Sequence, residues 1–371
     1  MKEKKRNKKK ILVRVLLVIV ILLAAAGGWY GLQVHESHRL LTRAEGMTFN
    51  ALIQEALAGR EDACVTVGVI KDGQTAFDVY GPDGQILEQK EYVYEIGSIT
   101  KTMTAALIAQ AIQEDRLQLT DTVNQYLELP EGKVYPTIES LLTHTSGLEE
   151  EYYEWSMLSY LIHPEENPFQ GITKEIILEE YQETDLEEGK AYEFSYSNYG
   201  FALLGLVLEE IYGTDYTSLA DAYLRNELDM KDTHVSKGDT DFDGSWVWNA
   251  GDAYISAGAV VSDITDMLTY AEAQLDGDGA AGLCHQPLKQ ADGSDPWKRL
   301  EGLCVDEIGM GWMIDSEHGF IWHNGATGMH TSYLGFCPEK QTAVVVLSNL
   351  SQEEDIQTTT LGFKKLLELS R

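Results

Sequence analysis

Apolar positions along the chain recur with two periods. TFNALIQEALAG (Thr48 to Gly59) carries them at the spacing of an amphipathic helix, and CVTVGVI (Cys64 to Ile70) and QTAFDVYG (Gln74 to Gly81) are short strand-like runs. Lys71-Asp72-Gly73 separates the two runs, and its Asp-Gly supplies the positive φ angles of a tight hairpin. From Ser98 to about Tyr212 the helical period dominates, in TAALIAQAIQEDRLQ, TIESLLTH, KEIILEEYQE and FALLGLVLEEIYG, and it continues in YTSLADAYLRNEL and SDITDMLTYAEAQL. Strand-like runs return at IGMGWMI (Ile308 to Ile314), GFIWHNG (Gly319 to Gly325), TSYLGFC (Thr331 to Cys337) and TAVVVLSN (Thr342 to Asn349), ahead of a terminal helix around TTTLGFKKLLELS. Strands at both ends with helices between predict an α+β fold. An antiparallel sheet built from the two chain ends is flanked by the terminal helices, and an inserted, mostly helical lobe leaves a cleft for a ligand.

One apolar run follows neither period. Val15 to Leu32 (VLLVIVILLAAAGGWYGL) is uncharged and long enough to span a bilayer. Residues 1–14 hold eight cations against Glu3, which places that end in the cytoplasm by the positive-inside rule, while Trp29 and Tyr30 mark the outer edge. The expected organisation is a basic cytoplasmic tail (1–14), a transmembrane signal-anchor (15–34), a polar connector (35–46) and one extracytoplasmic domain (47–371). Leu23-Ala24-Ala25-Ala26 keeps open the alternative of a cleaved signal peptide and a secreted protein.

Composition then narrows the function. A hydrophobic fraction of 44% with 24% charged residues supports a large core and excludes disorder for most of the chain. The tail is net +7, so the remainder carries −39 of the total −32, which argues against a nucleic-acid partner. Cys64, Cys284, Cys304 and Cys337 have no C-x-x-C spacing, so neither a metal site nor a cofactor motif is expected. In an oxidising compartment Cys284 and Cys304 could staple the irregular loop between them, whereas Cys64 and Cys337 read as buried small hydrophobes.

Three short constellations carry chemistry. In YEIGSITKTMT, Ser98 and Lys101 share one face at the start of a helix, so the lysine amine reaches the serine hydroxyl and can take its proton if burial disfavours the ammonium. Alone, the pair is equally a helix cap and a surface charge. Tyr196-Ser197-Asn198 lies in a loop before an apolar helix; its phenol could serve as a base if a cation such as Lys101 lowered its pKa, and the bland alternative is ring packing plus a helix cap. His323-Asn324-Gly325 ends a strand, where the N–H of Ala326 offers one oxyanion donor and the N–H of Ser98 a second. His323 could there bind a substrate carboxylate or pass a proton.

The elements SITK, YSN and HNG, in that order on a helix start, a loop and a strand end, resemble the S-x-x-K, Y-x-N and K/H-x-G motifs of the serine β-lactamase and penicillin-binding protein superfamily. The likeness is to its branch of class C β-lactamases, DD-carboxypeptidases and related esterases. TIESLLTHTSGL (Thr137 to Leu148) and ISAGAVVSDITDML (Ile255 to Leu268) extend it, and it spans about Phe49 to Leu367. The resemblance implies that Ser98 is the acyl-accepting nucleophile, that Lys101 and Tyr196 share the base role, and that Asn198 orients the lysine and the substrate amide. It places His323 and Gly325 in the pocket wall, the N–H groups of Ser98 and Ala326 in the oxyanion hole, and His144 in a structural role. Histidine at 323 departs from the lysine of typical class C β-lactamases, and Met329 stands where relatives often have a second glycine. Lys71-Asp72-Gly73 also fits K-x-G but precedes the serine. The acidic, aromatic stretch Glu149 to Phe169 is expected to overhang the cleft. The implied function is an acyl-enzyme hydrolase acting on D-alanyl peptides, β-lactams or small esters; the alternatives are a class C-like β-lactamase and a penicillin-recognising protein with little turnover.

Overall fold

A computed structural model of the chain describes residues 46–151, 166–236, 242, 244–291, 305–351 and 356–371. The basic tail, the apolar run at 15–34, nearly all of the connector and Cys304 lie outside these residues. Among the described residues no helix is long and apolar enough to cross a membrane.

The N-terminal hairpin supplies β1 (Val65–Lys71) and β2 (Gln74–Tyr80), joined through Asp72 and Gly73 at φ of 52° and 71°. Three short strands, β3 (Tyr94–Glu95), β4 (His234–Val235) and β5 (Val260–Ser262), form a small sheet in the order β3-β5-β4. The C-terminal part adds β6 (Lys289–Gln290), β7 (Glu307–Ile308), β8 (Met313–Asp315), β9 (Phe320–Ala326), β10 (Thr331–Cys337) and β11 (Thr342–Ser348). Together with the hairpin these make an eight-stranded sheet, β2-β1-β11-β10-β9-β8-β7-β6. The two chain ends meet where β1 pairs antiparallel with β11, from Val65↔Ser348 to Lys71↔Thr342.

Helices α1 (Phe49–Ala56), α2 (Thr100–Gln113), α3 (Ile138–Leu142), α4 (Lys174–Glu183), α5 (Asn198–Tyr212), α6 (Tyr216–Ala222), α7 (Ile255–Gly258), α8 (Ile264–Asp276), α9 (Ala280–Cys284) and α10 (Thr358–Leu369) complete the fold. The sheet separates two cores, as the alternation of strand side chains requires. Val344 and Val346 of β11 join Phe49, Leu52, Leu361 and Phe363 beneath α1 and α10, while Val345 and Leu347 join the larger core of α2, α5 and α8. Both faces are covered, so TAVVVLS is buried at every position and shows no alternation of apolar and polar residues.

Close packing of α10 on the sheet depends on Gly362, where a Cβ would stand 2.0 Å from Tyr333 Cδ1. Helix propensity alone favours alanine there by about 1 kcal/mol, whereas overpacking costs about 1–3 kcal/mol. Gly362→Ala is therefore expected to lower the urea midpoint, and a raised midpoint would show that the interface yields freely.

Two elements differ from the sequence reading. IGMGWMI is two strands, β7 and β8, because Gly311 turns the chain at φ 68° and its N–H donates to the Leu142 carbonyl at 3.0 Å, close against α2. The small sheet of β3, β4 and β5 consists of two- and three-residue strands, too short to show a period. Cys337 is buried and Cys64 half-buried with its Sγ 3.3 Å from the Tyr94 hydroxyl. Cys284 is a buried thiol whose pKa burial pushes up to about 12; its expected partner, Cys304, lies outside the described residues.

Candidate active site

Ser98 occupies a single 3-10 turn, Gly97–Ile99, that leads directly into α2. Buried Ile96, Ile99 and Met103 anchor this junction in the core. Residues 100–109 and Ala111 of α2 are buried, so its threonines must find partners. Thr102 bonds the Ile99 carbonyl at 2.7 Å and the Tyr270 hydroxyl at 2.9 Å, and Thr104 donates to the Ser256 carbonyl at 2.7 Å.

Lys101, on the first turn of this helix, is fully buried. Its Nζ lies 3.0 Å from Ser98 Oγ, donates to the Ala257 carbonyl at 2.7 Å, and sits 5.0 Å from the centre of the Tyr196 ring. Burial lowers its pKa to about 7, against the opposing pull of Glu151 and Glu150. An amine so placed is about half neutral at pH 7 and can accept the serine proton.

The Tyr196 hydroxyl is hydrogen-bonded to Ser98. Its pKa is not lowered by the nearby lysine, as the sequence reading required of a phenolate base. Burial raises it, the Ser98 bond opposes this, and Glu150 and Glu151 raise it further. The lysine titrates first, so the reactive pair is a neutral amine with a neutral phenol, and the phenol is suited to relay a proton rather than to hold the charge. Asn198 opens α5 behind the capping residue Ser197, and its side-chain amide donates to Glu151 Oε1 at 3.1 Å rather than engaging Lys101. Burial, then Glu150, raises the Glu151 pKa, opposed by the Asn198 bond and Lys101.

The third element abuts the first through backbone. A Cβ on Gly325 would stand 2.0 Å from the Ile96 carbonyl oxygen and 2.8 Å from the Ser98 nitrogen. One on Gly97, at φ 50°, would stand 2.6 Å from the Ala326 nitrogen. Only glycines permit this approach, and it brings the N–H groups of Ser98 and Ala326 side by side. Ser332 of β10 ties the junction by donating to the Ile96 carbonyl at 2.8 Å. Buried Glu95 braces it from below, accepting the Trp246 N–H at 2.7 Å and the Thr327 hydroxyl at 2.8 Å.

His323 of β9 is 1% exposed. Its Nδ1–H donates to the Asn324 carbonyl at 2.5 Å, which leaves Nε2 as an acceptor without a partner among the described residues. Burial and Lys101 drive its pKa down to about 3, against the Asn324 bond, so the ring is neutral and offers no positive charge to a carboxylate. Met329 is exposed beside this wall and has no positive φ, so its backbone does not require glycine.

The family model described as Beta-lactamase matches residues 49–366. The chain belongs to the β-lactamase family. Over 343 residues it is 25% identical to the D-alanyl-D-alanine-carboxypeptidase/endopeptidase AmpH of Escherichia coli (strain K12), covering 81% of this chain and 83% of that protein. Its fold is that of a β-lactamase/D-alanine carboxypeptidase from Yersinia pestis (TM-score 0.68, 20% identity, covering 90% of this chain and 99% of that one). A class C β-lactamase from Rhodobacter sphaeroides shares it equally (TM-score 0.65, 20% identity, the same coverage). The protein is thus a serine hydrolase of the β-lactamase family.

In this family member, sequence reasoning missed four partners of the site. The Ala257 carbonyl lies in ISAGA, noted only for its likeness to relatives, and a main-chain acceptor leaves no residue-type signal. Glu95 adjoins the serine motif but reads as an ordinary strand residue. Glu150 and Glu151 were placed in an overhanging segment, most of which lies outside the described residues, and its described end, Phe169, is instead buried against Trp246, Trp248 and Tyr254.

Proposed function

We propose that this family member forms an acyl-enzyme on Ser98 and acts as a D-alanyl-D-alanine carboxypeptidase-like hydrolase outside the cytoplasm, anchored by residues 15–34. The supporting observation is the buried Lys101 amine 3.0 Å from Ser98 Oγ with its pKa brought to about 7. In this reading Ser98 Oγ attacks the acyl carbonyl carbon while its proton passes to Lys101, directly or through the Tyr196 hydroxyl. The N–H groups of Ser98 and Ala326 hold the oxyanion. The bond to the leaving group then breaks, the departing amine receives a proton from the Tyr196–Lys101 pair, and water hydrolyses the ester on Ser98. The activity in the AmpH name and histidine rather than lysine at position 323 both favour a peptide over a typical class C substrate. The uncharged run at 15–34, with cations before it, supports the anchor and the outward-facing domain.

The full chain should take up fluorescent penicillin or a fluorophosphonate in the wild type and not in Ser98→Ala. It should also turn over a D-Ala-D-Ala peptide faster than a chromogenic β-lactam or a short acyl ester. Equal labelling of Ser98→Ala would remove the nucleophile. Labelling without turnover of any of the three would favour a penicillin-recognising protein instead. The N-terminal residue of the mature protein separates an anchor from a cleaved leader.

A further inference from the structure

His144 is a histidine of the serine-motif lobe that the proposed reaction does not use. It follows α3 at φ 55°, a left-handed conformation that outside glycine is taken mostly by asparagine, aspartate and histidine. The histidine found there makes three contacts with one short segment. Its carbonyl accepts the Ser195 N–H at 2.8 Å, and its Nδ1 accepts the Ser197 N–H at 3.0 Å. Its ring lies over the ring of the residue between them, Tyr196, with centroids 4.4 Å apart and planes 27° from parallel.

We propose that His144 is a positioning residue for Tyr196, holding the phenol so that its hydroxyl stays on Ser98 Oγ and beside the Lys101 amine. This rests on the reading of Tyr196 as part of the proton path. The geometry excludes a catalytic role for His144 itself. Nδ1 is committed to the Ser197 N–H, so Nε2 carries the ring proton, and among the described residues that buried atom has no partner. Burial, then Lys101 and His323, holds the ring pKa well below its ordinary value, so the Nδ1 lone pair persists through the working pH range. A neutral ring also adds no cation beside Lys101. Phe201 and Phe194, at 5.2 and 5.7 Å between centroids, pack the imidazole from other sides and keep it from turning.

A double-mutant cycle on the full chain tests the inference, because a group that acts only by placing the Tyr196 hydroxyl has nothing to act on once that hydroxyl is gone. His144→Ala is expected to lower kcat for a short acyl ester by about 10- to 100-fold with KM within about 2-fold, and to slow fluorophosphonate labelling in proportion. His144→Asn tolerates the left-handed backbone and keeps an acceptor while losing the ring, so it should fold and fall between Ala and wild type. In a Tyr196→Phe background the same changes should cost less than about 2-fold. The same fold-loss in both backgrounds, or a raised KM at unchanged kcat, would overturn the positioning role while leaving Tyr196 in the proton path. A Tyr196→Phe enzyme with wild-type rates would remove the path, and the positioning role with it.

Discussion

Lys101→Ala is expected to lower the rate of Ser98 acylation by about 10²- to 10⁴-fold, the range for loss of a positioned base. The reason is spatial as well as electrostatic. Among the described residues no other amine touches Ser98 Oγ, and the amine's other contact, the Ala257 carbonyl, cannot accept a proton usefully. The pH profile carries the sign. With the lysine pKa brought down from 10.5 to about 7, the reactive neutral amine is scarce at pH 6, about half populated at pH 7 and dominant at pH 8. Wild-type acylation should therefore climb with pH through about 7 and level off above it, and that limb should vanish in Lys101→Ala. Stopped-flow measurement of the ester burst reads both. A rate within a few-fold of wild type, or the same limb in the variant, would move the base elsewhere.

Gly325→Ala should be nearly as damaging, for a different reason. The added methyl would stand 2.0 Å from the Ile96 oxygen and 2.8 Å from the Ser98 nitrogen, both backbone atoms that no rotamer change can move aside. Either β9 backs away from the serine turn or the turn shifts, and each outcome separates the two N–H groups. Misplacing one oxyanion donor costs about 10²- to 10³-fold in kcat. The loss should appear in kcat, with labelling of Ser98 slowed but still dependent on Lys101. A variant that keeps kcat while its melting temperature falls would assign Gly325 to packing alone.

The legibility of this fold followed the length of its elements. The long helix over 100–113 and the hairpin at Lys71–Gln74 could be read from period and turn chemistry, because each is governed by residues close in sequence. The β7–β8 turn could not, since Gly311 bends the chain in response to α2, about two hundred positions away in sequence. The same division runs through the site. Ser98, Lys101, Tyr196 and His323 were nameable because their residue types and order resemble a family, and the structure gathers them. Which of the lysine and the phenol loses its proton first was not nameable, because burial decides it and burial is a property of the assembled core. The partner of Asn198 was hidden for a related reason: the group its amide meets, Glu151, comes from a loop preceding the motif by nearly fifty residues.

The pairing of β1 with β11 has a bearing on how the enzyme comes into being. Strand β1 pairs at once with β2 but finds its second neighbour only after almost the entire domain has been synthesised, and β9, which carries the oxyanion wall, is held in a sheet completed by the same late strands. Such long-range closure is slow and leaves a hydrophobic strand edge unprotected in the meantime. The oxyanion hole is therefore the late part of the catalytic centre: the serine turn, synthesised in the first third of the chain, meets the N–H of Ala326 only once β9 has been made.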